Sequence, residues 1–153
     1  MTVQGGESVK YTKFLVPVTG KKADDDIVRT ACVLARRSKG KVYVVHVIQV
    51  SRTLPLDAEV EPETQSGENV LANADKIADM MDCQVETEIL QAREIGPAIV
   101  DEAVERGVDM IIMGLEYKKR FGEFDMGDTV PYVLRNAPCP VLLWRGPMGE
   151  VEK

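Results

Sequence analysis

The sequence predicts an α/β fold in one domain: an open, mostly parallel sheet covered by helices on both faces. Short apolar runs alternate with segments of helical periodicity along most of the chain. The run KVYVVHVIQV at 41–50 is nearly continuous in its hydrophobicity, as a strand covered on both sides must be. A length of 153 residues suits a single core, with no internal repeat, low-complexity tract or evident linker.

The elements follow in order. KFLVPV (13–18) is a buried strand closed by the Thr19-Gly20 turn. Asp24, Asp25 and Asp26 suit the positive end of a helix whose apolar face carries Ile27, Ala31, Leu34 and Ala35; Arg36, Arg37 and Lys39 suit its negative end, and Gly40 stops it. After the second strand, at 41–50, the acidic stretch SRTLPLDAEVEPETQS (51–66) holds Pro55 and Pro62 and lacks a sustained apolar period. It is expected to be a surface loop, of a length that often covers a site. Val70, Leu71, Ala74, Ile77, Ala78 and Met81 then predict a helix over 67–81, and QVETEIL (84–90) a third strand. GPAIVDEAVERG (96–107) is a helix with Pro97 in its first turn and Gly107 past its end. VDMIIMG (108–114) is the fourth strand, 129–136 a short helix with Pro131 in its first turn, and CPVLLWR (139–145) the fifth strand.

Composition narrows the function. Hydrophobic residues make up 44% and charged residues 29%, an ordinary globular balance, and the formal charge of −6 argues against a broad nucleic-acid or anionic-lipid surface. No segment approaches the ~18 apolar residues of a membrane helix, and MTVQGGESVK at the start lacks a secretory apolar stretch, so a cytoplasmic protein without membrane insertion is expected. Cys32, Cys83 and Cys139 form no CxxC pair and are expected to be structural thiols in a reducing compartment.

Open parallel sheets bind ligands beyond the carboxyl ends of their strands, where the strand order reverses. Two loops qualify: Thr19-Gly20-Lys21-Lys22 after the first strand, and MGLEYKKRFGEFDMGDT (113–129) after the fourth. The second has glycines at 114, 122 and 127 and leads into a helix, which suits a backbone cradle for phosphate. Glu116, Glu123, Asp125 and Asp128 oppose that use, whereas Lys118, Lys119 and Arg120 form a basic trio that could fold over an anion.

LVPVTG (15–20), VVHVI (44–48), DMIIMG (109–114) and APCPVLLWR (137–145) together resemble the universal stress protein family. The resemblance implies a domain over about 11–146, flanked by a disordered segment at 1–10 and a tail at 147–153. It implies five parallel strands in the order 3-2-1-4-5, which sets strands one and four side by side, and a homodimer formed through the last strand. Val141, Leu143 and Trp144 are the expected dimer contacts. The family has ATP-binding and non-binding branches. Binding members carry Gly, two residues, Gly, nine residues, Gly and then Ser or Thr after strand four. This chain keeps the spacing as Gly114, Tyr117, Gly127 and Asp128. Asp is usual two residues after the strand-one proline; here Thr19 follows Pro17. Val47 matches the strand-two position whose backbone contacts adenine.

The candidate nucleotide-binding residues are therefore Pro17, Thr19, Val47, Met113, Gly114, Tyr117, Gly127, Asp128 and Thr129, with ATP or a related adenine nucleotide as ligand. If the loop needs positive φ at 117, Tyr117 in place of Gly is expected to add strain of about 1–2 kcal/mol. Asp128 in place of a hydroxyl sets a like charge beside a triphosphate, at a cost of about 1–4 kcal/mol. A Mg²⁺ ion ligated by Asp128 would reverse that sign. Otherwise Asp128 serves as a helix N-cap beside Thr129.

Other sites are weaker. His46, the single histidine, is expected to be a hydrogen-bonded core residue; no GxSxG motif accompanies it, and no paired Cys or His spacing suits a metal. Trp144 suits packing or an interface. A flavodoxin-like electron carrier would want hydroxyls after strand one, where VTGKKADDD supplies acid. The expectation is a stress-response protein that binds an adenine nucleotide and catalyses at most slow ATP hydrolysis, with no catalytic residue assigned. The alternative is a regulatory module without nucleotide that acts through its dimer or through a transporter or signalling partner.

Overall fold

The computed structural model describes residues 10–148. The segment expected to be disordered at 1–10 and the tail at 147–153 therefore lie almost wholly outside the described residues. Elements alternate as β1 (Lys13–Pro17), α1 (Ala23–Ser38), β2 (Lys41–Gln49), α2 (Glu61–Met80), β3 (Val85–Ala92), α3 (Ile95–Arg106) and β4 (Met110–Leu115). A small hairpin follows, β5 (Lys119–Arg120) and β6 (Glu123–Phe124), then α4 (Thr129–Asn136) and β7 (Val141–Arg145). The main sheet has the order β3-β2-β1-β4-β7, all parallel, which is the expected 3-2-1-4-5 arrangement with β7 as its fifth strand.

Successive strand residues feed opposite layers, as a period of two requires. Phe14, Val16, Val42, Val44 and Ile112 face one core with Ile27, Val28 and Ala31 of α1 and Leu71, Ala74 and Ile77 of α2. Leu15, Val45, Val47, Ile111 and Met113 face the other, with Ile99 and Ala103 of α3 and Val130 and Val133 of α4. Both faces of β1 and β2 are thus covered, which explains the nearly continuous apolar character of 41–50.

Three expectations are corrected. Helix α2 starts at Glu61, not near 67, because Pro62 fits a first helical turn and Glu61 and Glu63 suit its positive end. The preceding loop is fixed by side chains beyond it: Gln91 Nε2 donates to the Leu56 and Ala58 carbonyls at 2.8 and 2.9 Å, and Arg93 Nη1 to those of Ser51 and Leu54 at 2.6 and 2.8 Å. These bonds tie it to the end of β3. Second, the left-handed residue that ends α1 is Lys39 (φ 55°), one position before the expected stop at Gly40. Third, the segment after β4 contains the β5–β6 hairpin, whose turn residues Phe121 (φ 54°) and Gly122 (φ 81°) both have positive φ, the geometry of a two-residue hairpin turn.

Candidate functional site

The site opens where β1 and β4 part. Val18 N–H donates to Val45 O at 2.8 Å, so the peptide group of residue 18 faces β2 and the nitrogen of Pro17 faces β4. Proline has no N–H to give. The β1–β4 register accordingly stops at Leu15↔Ile111, while β4–β7 continues to Leu115↔Arg145. The resulting crevice is a cavity of about 410 Å³, within the range of small-molecule sites.

Eight of the nine sequence-predicted positions line it. Pro17 and Thr19 come from the end of β1, Val47 from β2, Met113 and Gly114 from β4, and Gly127, Asp128 and Thr129 from the approach to α4. The ninth, Tyr117, does not. Its ring stacks on Phe124 at 5.1 Å between centroids, beneath the Arg145 guanidinium at 4.8 Å, so it closes the base of the hairpin. Sequence reasoning missed Ile95 and Ile99 of α3 as wall residues, although the apolar stripe of that helix contains Ile99.

Val47 presents backbone to the cavity. Val45 O serves β1 and Val50 N–H donates to Ala92 O of β3, so odd-numbered peptide groups of β2 face β1 and even-numbered ones face β3. Strand β1 pairs only as far as Pro17↔Val45. The N–H and C=O of Val47 consequently project past the end of β1 into the crevice, above a floor of Ile99, Met113 and Val130. A donor–acceptor pair over an apolar floor suits the edge of a planar heterocycle.

His46 differs from expectation by being half-buried on the cavity wall. Its Nδ1 lies 2.9 Å from Val18 O, and because a carbonyl only accepts, Nδ1 is the donor in this bond.

Carboxylates at the rim and just behind it hold backbone. Asp24, expected to serve the helix dipole, is instead buried at 6% exposure, and its Oδ1 and Oδ2 accept from Thr19 N–H at 3.0 Å and Gly20 N–H at 2.6 Å. Burial pushes its carboxyl above the ordinary range, and these two amides pull it partly back. Glu116 Oε2 accepts from Lys22 N–H at 3.1 Å, and Asp125 Oδ1 from Gly127 N–H at 3.1 Å. Asp128 occupies the N-cap position of α4, but its carboxylate makes no cap hydrogen bond, which corrects the capping expectation. No group of three or more His, Cys, Asp or Glu side chains among the described residues could hold a metal ion by itself.

At the dimer candidates, β7 pairs among the described residues only with β4, and no described strand lies along its other edge. Val141, Leu143 and Trp144 are half-buried against the two cores, and Leu142 is the most exposed apolar residue of the strand at 38%. No helix among the described residues is long and apolar enough to cross a membrane.

Comparison with known proteins agrees with this architecture. A universal stress protein of Methanocaldococcus jannaschii is 27% identical over 97% of this chain and 89% of its own length. The structure of a universal stress protein from Archaeoglobus fulgidus superposes with a TM-score of 0.70 at 25% identity, covering 88% of this chain and 93% of that one. A structure of the universal stress protein from the same organism in complex with dAMP gives a TM-score of 0.69 at 23% identity, covering 88% and 98%. The family model for the universal stress proteins matches residues 10–145. The chain belongs to the universal stress protein family.

Proposed function

We propose that this chain binds an adenine nucleotide in the β1–β4 crevice and acts as a stress-response regulator, as a homodimer in the cytoplasm. The observation that carries this reading is the outward-facing peptide group of Val47 above an apolar floor. Its N–H and C=O match the N1 acceptor and N6 donor of adenine. The complex of a like-folded protein with dAMP supports the same choice of base. On this reading the Thr19 hydroxyl, which lines the cavity at the end of β1, serves the ribose. The function is binding rather than catalysis: the one histidine gives its Nδ1 proton to a peptide carbonyl, not to an orienting carboxylate, so any ATP hydrolysis is slow.

The donor set fits the nucleoside better than a triphosphate. Were ATP the occupant, Asp128 with Asp125 would hold Mg²⁺ against its phosphates, since that ion needs only one or two carboxylates when phosphate oxygens complete its shell.

A thermal-shift and calorimetric titration with AMP and GMP tests the base assignment. AMP should saturate and raise Tm, whereas GMP, whose N1–H donor and O6 acceptor reverse the pattern, should not. Failure of AMP to saturate would overturn the reading. The acidic rim favours the second reading, a module that has lost its nucleotide and works through its dimer or a transporter partner. On that reading none of these ligands shifts Tm.

A further inference from the structure

Four backbone donors in the two loops beside the cavity are already occupied. Thr19 and Gly20 N–H donate to Asp24, Lys22 N–H to Glu116, and Gly127 N–H to Asp125. In loops of this kind such groups would otherwise turn towards a bound anion. Here the anions are the chain's own carboxylates.

We propose that the cavity selects an adenine nucleoside carrying at most one phosphate, because Asp24, Glu116 and Asp125 occupy four loop donors beside it and three carboxylates line it against two lysines. This rests on the adenine-site reading above and specifies its ligand.

Displacing these carboxylates is unfavourable. Asp24 is almost completely buried and bonds both amides at once, so freeing Thr19 and Gly20 for phosphate would strand a charge inside the protein. Glu116 joins the segment after β4 to the start of α1, and its release would uncouple the two walls of the crevice. Charge acts in the same direction. Glu116, Asp125 and Asp128 line the cavity against Lys21 and Lys118. Two cations and the first-turn amides of α4 can accommodate one phosphate, but each further phosphate meets the Glu116, Asp125 and Asp128 carboxylates. The adenosine end lacks this conflict, since its contacts are the Val47 peptide and the apolar floor.

Titration calorimetry of the intact protein with adenosine, AMP, ADP and ATP in chelator separates the possibilities. AMP and adenosine should bind within a few-fold of each other, and ATP at least tenfold more weakly than AMP. Raising the salt should narrow that gap, because exposed charge repulsion is screened. The paired change Glu116→Gln and Asp125→Asn keeps an oxygen acceptor at each position and removes two charges; it should raise the ATP-to-AMP affinity ratio about tenfold. ATP binding as tightly as AMP or more tightly, with adenosine still saturating, would overturn this proposal and leave the adenine site standing. No saturation by any of the four would overturn the adenine site itself.

Discussion

Tyr117 stacks on Phe124 with ring centroids 5.1 Å apart and planes 5° apart, and Arg145 of the edge strand covers the Tyr117 ring. The pair stands at the base of the β5–β6 hairpin. The aromatic residue at 117 therefore gives the segment a packed anchor of its own. Charge follows the same trend, since Glu116 and Asp125 use their oxygens to fix the segment's backbone and that of its neighbour.

Removing the anchor should loosen the segment locally. Phe124→Ala deletes the stacked partner, a loss of about 0.5–1.5 kcal/mol beyond the area term. Amide exchange over 116–128 should speed up several-fold while exchange in β1 and β2 stays unchanged. Unaltered exchange over that segment would show that the stack does not order it.

Gly114 tests packing rather than backbone freedom. A Cβ there would lie 2.8 Å from Ala23 Cβ and 3.0 Å from Ile27 Cγ2, so the glycine lets α1 approach β4 at the cavity edge. Gly114→Ala should destabilise the fold by about 1–3 kcal/mol, measured by urea denaturation, because α1 must shift outwards. A loss below about 0.5 kcal/mol would show that α1 accommodates the methyl freely.

Much of the architecture was legible because burial imposes period. The continuous run of β2 and the stripes of α1 and α3 could form little else. The start of α2 was hidden, since proline and acid at a helix entry look the same in sequence as proline and acid in a loop. The hairpin was hidden too: strands of two residues have no period, and its turn uses Phe121-Gly122 in place of Asn-Gly. Asp24 is the instructive miss. Among three consecutive aspartates it alone lies three, four and seven positions before Ile27, Val28 and Ala31, on the stripe that faces the core. Helical phase marked it as inward, whereas composition alone suggested the dipole.

Asp109 should control the acid limb of stability. Its Oδ2 accepts from Thr12 N–H at 2.9 Å, Thr12 Oγ1 at 3.0 Å and Lys13 N–H at 2.9 Å, and these bonds, the Thr12 amide foremost, hold its pKa below the ordinary 3.8. A depressed folded pKa contributes stability that is fully present above 3.8 and is lost as pH falls through the lower folded value. Asp109→Asn should therefore cost about 1–2 kcal/mol near neutral pH and progressively less as pH falls below 3.8. A penalty that does not change with pH would show that shape rather than charge makes the clamp.

Cys32 should be chemically silent. It is fully buried in the core beneath α1, and burial first, with the Cys83 thiol second, pushes its pKa up to about 12. Almost no thiolate exists at neutral pH, and reagent has no path to it. Cys83 and Cys139 are half-buried and nearer the surface. Alkylation of the native protein should label Cys32 last, with its rate rising sharply only in denaturant. Rapid native labelling of Cys32 would mean that α1 opens readily from the sheet.

The last expectation concerns the open edge of the sheet. Strand β7 pairs with β4 on one side and, among the described residues, has no partner on the other, an arrangement that invites association with a second strand. Val141 and Leu143 turn to one core and Trp144 to the other, so in the isolated chain they are already partly used in packing, and Leu142 is left the most exposed of the run. A two-fold contact along β7 would place Leu142 against its own copy and cover Trp144 from outside. Light scattering at micromolar concentration should therefore give twice the mass of a chain of 16.9 kDa. Leu142→Glu, which sets like charges opposite each other across the two-fold axis, should shift the species towards monomer while leaving the circular dichroism spectrum unchanged. A wild-type monomer at that concentration would remove the contact. A dimer unaffected by Leu142→Glu would place the interface on a different face of the molecule.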